Sequence, residues 1–107
     1  MNTDLLDEDG YPSNETLYKI ETWEFSNTQE IINLFEFIKS IWRYSIWQEY
    51  KDETENVMLY KISTAGWSGN EDIIMSMNNN FKLWSLVWYS SKRGGHYKFK
   101  VPLNFGE

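Results

Sequence analysis

Two short stretches in the second half of the chain hold the residues best suited to bind a ligand. The first, residues 66–71, precedes a predicted helix, where unpaired backbone N–H groups and the helix dipole attract anions. Trp67 could stack on a ring of the ligand, and Ser68 and Asn70 offer polar side chains. The alternative is a purely structural turn in which Ser68 caps the helix and Glu71 completes a capping box.

The second stretch, residues 90–96, groups basic side chains around two glycines. Arg93 could hold a phosphate or carboxylate through several hydrogen bonds, and Lys92 adds positive charge. His96, the only histidine, could donate a hydrogen bond or exchange a proton near neutral pH. The alternative is a solvent-exposed hairpin turn, because lysine and histidine are common on protein surfaces.

If the two stretches lie at the same end of a sheet, they form one pocket for a small anionic or nucleotide-like ligand. The predicted ligand-binding residues are Trp67, Ser68, Asn70, Lys92, Arg93 and His96. No catalytic residue is predicted, because Ser68, His96 and Asp72 have no triad spacing and no nucleophile-elbow pattern is present. An enzyme therefore stays open as a less favoured alternative. With no cysteine and one histidine, neither a metal site nor a cofactor is expected.

These two stretches also carry a resemblance to known proteins. Residues 63–74 (STAGWSGNEDII) and 88–97 (WYSSKRGGHY) resemble segments of a group of small phage and prophage proteins. In that group, two consecutive glycines more often stand where this chain has Ala65 and Gly66. The resemblance implies a phage or prophage setting. It implies no activity, because none is established for the group.

Composition narrows the class of protein. The 107 residues suffice for one domain, and an aromatic content of 18% supplies enough ring surface for a core, which excludes general disorder. No long apolar segment and no secretory signal are found, and cysteine is absent, so we expect a protein of the host-cell cytoplasm. The formal net charge of −6 argues against general binding to nucleic acid or membranes. Residues 81–107 nevertheless carry +4, which suits one anionic ligand.

The competing function is an acidic protein-interaction module that engages a host protein, for example as an inhibitor of a host-defence or nucleic-acid enzyme. Its carboxylates would occupy the positions of DNA phosphates, although the same acidic residues could serve solubility alone. The residues concerned are Asp4, Asp7, Glu8, Asp9, Glu49, Asp52, Glu53 and Glu55. Self-association through exposed aromatic residues is a third possibility, and the oligomeric state stays open.

The elements that would position the two stretches follow from turn signals and apolar periodicity. We expect an acidic, mobile tail over residues 1–14 and a single α+β domain over 15–107. Two helices would pack on one face of an antiparallel sheet built from two hairpins, with an additional N-terminal strand over 17–25. The predicted order is a helix that begins at 26–28 and carries the apolar stripe 31–42, a hairpin of 44–51 and 57–64, a helix over 67–80, and a hairpin of 81–90 and 96–103.

Overall fold

The computed structural model describes residues 5–44 and 46–107, in which four helices and four strands form an α+β fold. This confirms the predicted fold class. The elements are, in chain order, α1 (Asn14–Glu21), α2 (Thr28–Ile41), β1 (Trp47–Asp52), β2 (Val57–Ser63), α3 (Ser68–Asn79), α4 (Phe81–Val87), β3 (Trp88–Lys92) and β4 (His96–Pro102). Each helix in this part of the chain is too short or too polar to span a lipid bilayer.

The sheet is antiparallel with the strand order β1-β2-β4-β3. Both predicted hairpins form, and pairing of β2 with β4 joins them into one sheet. Tyr60 lies opposite Phe99 and Ile62 opposite Tyr97, so large apolar residues of the two central strands share one face. Because side chains alternate along a strand, the residues between them point to the opposite face.

Helix α2 covers the apolar face of the sheet. Its first turn is capped by the Asn27 side chain, which accepts a hydrogen bond from the Glu30 backbone N–H. Phe35 then stacks on Tyr60 at 4.1 Å between ring centres and contacts Phe99 at 5.6 Å. Burying side chains of this size contributes roughly 1.5–3 kcal/mol each, so this contact forms the centre of the core.

The structure shows a helix where a strand was predicted over residues 17–25. Ser13 caps α1 by accepting a hydrogen bond from the Thr16 backbone N–H. Thr16 and Ile20 are buried four residues apart, which places both on one face of the helix. The strand prediction was wrong because mixed polarity over a short segment does not distinguish alternation from helical spacing.

A second prediction of strand, over residues 81–90, was correct only at its end. Residues Phe81–Val87 form α4, and the strand begins at Trp88. The Asn80 side chain caps α4 by accepting from the Leu83 backbone N–H, and its amide group donates to the carbonyls of Ile20 and Trp23. Apolar residues on both sides of the segment favour a buried strand, although a short buried helix gives the same pattern.

The segment predicted as an acidic tail forms a closed loop over residues 5–13. The Asp7 carboxylate accepts hydrogen bonds from the backbone N–H groups of Asp9 and Tyr11. The Leu5 carbonyl accepts from the Ser13 backbone N–H and from a buried threonine hydroxyl of α1. Residues 1–4 of the predicted tail, including one of its carboxylates, lie outside the described residues.

Candidate functional site

The loop after β2 and the β3–β4 turn are neighbours, as predicted. Ser63 at the end of β2 pairs with His96 at the start of β4, and the Thr64 backbone N–H donates to the Gly95 carbonyl at 3.0 Å. A Cβ at Gly95 would collide with the Thr64 hydroxyl, and the glycine has a φ of +79°. The contact between the two stretches therefore depends on a glycine at this position.

Trp67 does not lie with Lys92 and His96. Its ring packs on Tyr11 of the N-terminal loop at 5.1 Å, and the Arg43 guanidinium carbon lies 4.5 Å from the ring centre. The ring folds back over Gly69, where a Cβ would collide with it. The side chain proposed to stack on a ligand is thus occupied by contacts within the fold.

Ser68 and Asn70 also have partners inside the chain. Ser68 is the first residue of α3 rather than its cap, so the predicted capping box does not form, and its hydroxyl lies 3.5 Å from that of Tyr11. Asn70 is fully buried. Its amide group donates to the carbonyls of Arg43 and Thr64, and its side-chain oxygen accepts from the Arg43 N–H. Asn70 therefore joins the end of α2 to the loop after β2.

His96 has a different neighbour, which the sequence patterns did not single out. The Ser63 hydroxyl lies 2.5 Å from Nδ1 of His96, so the two share one hydrogen. Ser63 itself is buried at the end of β2. A hydrogen bond on one ring nitrogen fixes the orientation of an imidazole and leaves the other nitrogen for a different partner.

A depression of about 540 Å³ opens beside this Ser63–His96 pair on the sheet face opposite the helices. It is lined by Ile46, Trp47, Gln48, Lys61, Ile62, Ser63, Ser90, Lys92, His96, Tyr97 and Lys98. Three lysines and the histidine are present and no carboxylate, although acidic residues outnumber basic ones 16 to 10 in the chain. Arg93 is exposed in the turn and does not belong to the lining.

Strand register explains why the lysines converge. Lys61 of β2 lies opposite Lys98 of β4, which lies opposite Ser90 of β3, so the three strands bring them to one row of the same face. The sequence shows that His96 and Lys98 alternate along β4, but it does not show which strand pairs with β4. Lys61 and Ser63 could therefore not be assigned to the site without the register.

A second depression, of about 530 Å³, differs in its charge. It lies at the α1–α2 connection and is lined by three glutamates, including Glu30, and a single lysine. The backbone N–H and the hydroxyl of Ser26 donate to Glu30 and lower the pKa of its carboxyl group. This negative site is unsuited to an anion. Over residues 5–44 and 46–107, no three potential metal ligands are grouped to hold an ion.

Comparison of the chain with protein-family models, curated proteins and solved structures finds no match.

Proposed function

We propose that the chain is a non-enzymatic binding protein that holds a ligand bearing a phosphate or carboxylate group in the depression beside Ser63 and His96. The observation that supports this proposal is the lining itself: three lysines and a histidine without a carboxylate, in an acidic protein. Such a concave basic surface attracts an anion while the rest of the molecule repels it.

Each polar group of the lining has a role in this proposal. The ammonium groups of Lys61, Lys92 and Lys98 supply the charge, and each can donate hydrogen bonds to the anion. The Ser63 hydroxyl orients the imidazole of His96, which adds a donor. Of the six residues predicted from the sequence, Lys92 and His96 remain in this binding set.

A nucleotide-like ligand has less support from the structure than an anionic ligand in general. Trp67, expected to stack on a base, is engaged by Tyr11 and Arg43. Trp47 and Tyr97 also border the depression, but both lie opposite Ile62 on the helix-covered face, where their rings contact Tyr60 and Trp84. We therefore propose that the anionic group contributes most of the recognition.

The experiment is an NMR titration of the ¹⁵N-labelled protein with inorganic phosphate, a nucleoside monophosphate and a dicarboxylate. We expect shifts concentrated at residues 61–63 and 96–98, and weaker binding in Lys98→Gln. Lys51→Gln is the matched control, because it removes the same charge from the other face of the sheet. Lys51 lies on the same face of β1 as Glu49, which pairs with Lys39 of α2. If no anion shifts these residues, or if both variants weaken binding equally, the proposal is wrong.

The interaction-module alternative has less support. Several carboxylates that it needs are engaged within the fold: Glu49 with Lys39, Glu55 with Lys100, and Asp52 with backbone N–H groups of its own turn. Capture of a specific host protein that is lost on charge reversal in the β1–β2 turn would favour it. The phage setting and the cytoplasmic location stay predictions.

A further inference from the structure

The open face of the sheet extends beyond the depression and carries one further lysine, Lys100. All aromatic contacts from α2 and α4 to the sheet reach the opposite face, so these four strands present one face to solvent. Next to the row of Lys61 and Lys98 lies a second row, in which Tyr50 of β1 is opposite Leu59 of β2, and Leu59 is opposite Lys100 of β4.

Two exposed aromatic rings flank this second row. Tyr50 on the edge strand β1 is 46% exposed, and Tyr89 on the other edge strand, β3, is 53% exposed. The β-bulge between Trp88 and Ser90 places Tyr89 beside β4, with the Lys100 ammonium 3.7 Å from its ring centre. With strands about 4.8 Å apart, the two edge strands that carry these rings are about 14 Å apart across the sheet.

From this face we infer that the ligand of the proposed site is a single-stranded polynucleotide, with its phosphates on Lys61, Lys92 and Lys98 and its bases on Tyr50 and Tyr89. The inference rests on the proposed function and extends it from one anion to a polyanion that crosses the sheet. Exposed rings interleaved with lysines suit this ligand because every base has a stacking face and every nucleotide carries a phosphate.

An acidic peptide fits the same lysines less well. It would use their charge but has no flat base to place on two solvent-exposed tyrosines at the two edges of the sheet. The net charge of −6 opposes binding of a polyanion to the molecule as a whole. The lining of the depression is locally positive, because it contains Lys61, Lys92 and Lys98 and no carboxylate. Lys100 contributes less free charge, because Glu55 is paired with it.

The first test measures the fluorescence anisotropy of labelled 12-nucleotide oligo(U) and oligo(dT) against salt concentration. Three phosphate contacts predict a slope of log K against log salt of about −2, and Lys98→Gln should reduce its magnitude by about 0.7. Lys51→Gln should leave the slope unchanged, because its residue lies on the other face of the sheet. Uridine monophosphate serves as the single-anion arm and should bind at least tenfold more weakly.

The second test separates base stacking from charge. Tyr89→Leu should weaken oligonucleotide binding about 5- to 100-fold with an unchanged salt slope, as expected for loss of one stacked base. Tyr50→Leu should have a similar effect. Tyr18→Leu is the matched control, because Tyr18 is an exposed tyrosine of α1.

The outcomes are distinguishable. If uridine monophosphate binds but the oligonucleotides bind no more tightly, the depression holds a single anion, so the polynucleotide inference is wrong and the proposed function stands. If an oligoglutamate peptide competes equally and both tyrosine variants bind normally, the partner is an acidic peptide and the inference is also wrong. If no anion binds, both are wrong.

Discussion

Replacement of Tyr60 by phenylalanine should stabilise the protein. Tyr60 is fully buried in the core, and its hydroxyl has no hydrogen-bond partner among the described residues. Phenylalanine would keep the ring and its stacking on Phe35, at 4.1 Å between ring centres, and would remove only the hydroxyl. Because a buried polar group without a partner costs about 1–3 kcal/mol, Tyr60→Phe should raise the free energy of unfolding by up to that amount.

The same variant should differ from the parent in its pH dependence. Burial, and then the negative charges of Glu49 and Glu36, raise the pKa of Tyr60 well above its ordinary value of 10.0. A group whose pKa is higher in the folded state stabilises the fold fully below its unfolded pKa, and this stability is lost as the pH rises past it. The stability advantage of Tyr60→Phe should therefore widen above about pH 10.

Thermal and urea unfolding, followed by circular dichroism from pH 7 to 11, measure both effects. Each kcal/mol gained in the free energy of unfolding should raise the midpoint temperature by about 4–8 °C in a domain of this size. Tyr50→Phe is the matched control, because its exposed hydroxyl should be replaced with little change. A Tyr60→Phe protein that is less stable than the parent at pH 7 would show that the hydroxyl has a partner, and would refute the reasoning.

Three further predictions concern the elements around the site. Asn70→Ala should destabilise the fold by about 2–4 kcal/mol in urea unfolding, because it leaves buried backbone groups without their amide partner, and an unchanged midpoint would contradict this. Gly95→Ala should be destabilising and should shift the NMR signals of residues 63–66, since its methyl group would meet the Thr64 hydroxyl; normal signals would show that the turn adapts. Hydrogen bonds from Ser26 lower the pKa of Glu30 in the folded state. The ionised Glu30 carboxylate therefore stabilises the fold above its unfolded pKa, and this stabilisation is lost as the pH falls. Glu30→Gln should accordingly lose less stability than the parent between pH 5 and pH 3, and parallel acid-unfolding curves would contradict this.

Periodicity located the long elements and failed on the short ones. Helix α2 was predicted because its apolar residues repeat at helical spacing over residues 31–42. The two hairpins were predicted because polar turns separate apolar runs. Helices α1 and α4 have eight and seven residues, too few for helical spacing to differ clearly from alternation. Their caps, Ser13 and Asn80, accept from backbone N–H groups three residues further on. Serine and asparagine make the same local hydrogen bonds in turns, so these residues alone do not mark the start of a helix.

The candidate site shows the same division between local and distant information. The pocket hypothesis requires the stretches around Trp67 and His96 to be neighbours. Thr64 does contact Gly95, but the Trp67 ring packs on Tyr11 and Arg43. These contacts join residues far apart in the chain, so no local pattern reveals them. Lys61 and Ser63 were missed for the same reason.

The amino-acid sequence alone determined the α+β class, the central helix and the two hairpins, because these depend on the order of apolar and polar residues over short distances. Only the tertiary structure decided which side chains share the open face. Pairing of β2 with β4 set Lys61 beside Lys98 and Ser63 beside His96. A shift of this register by one residue would turn one set of side chains to the opposite face, so the site exists only through long-range strand pairing.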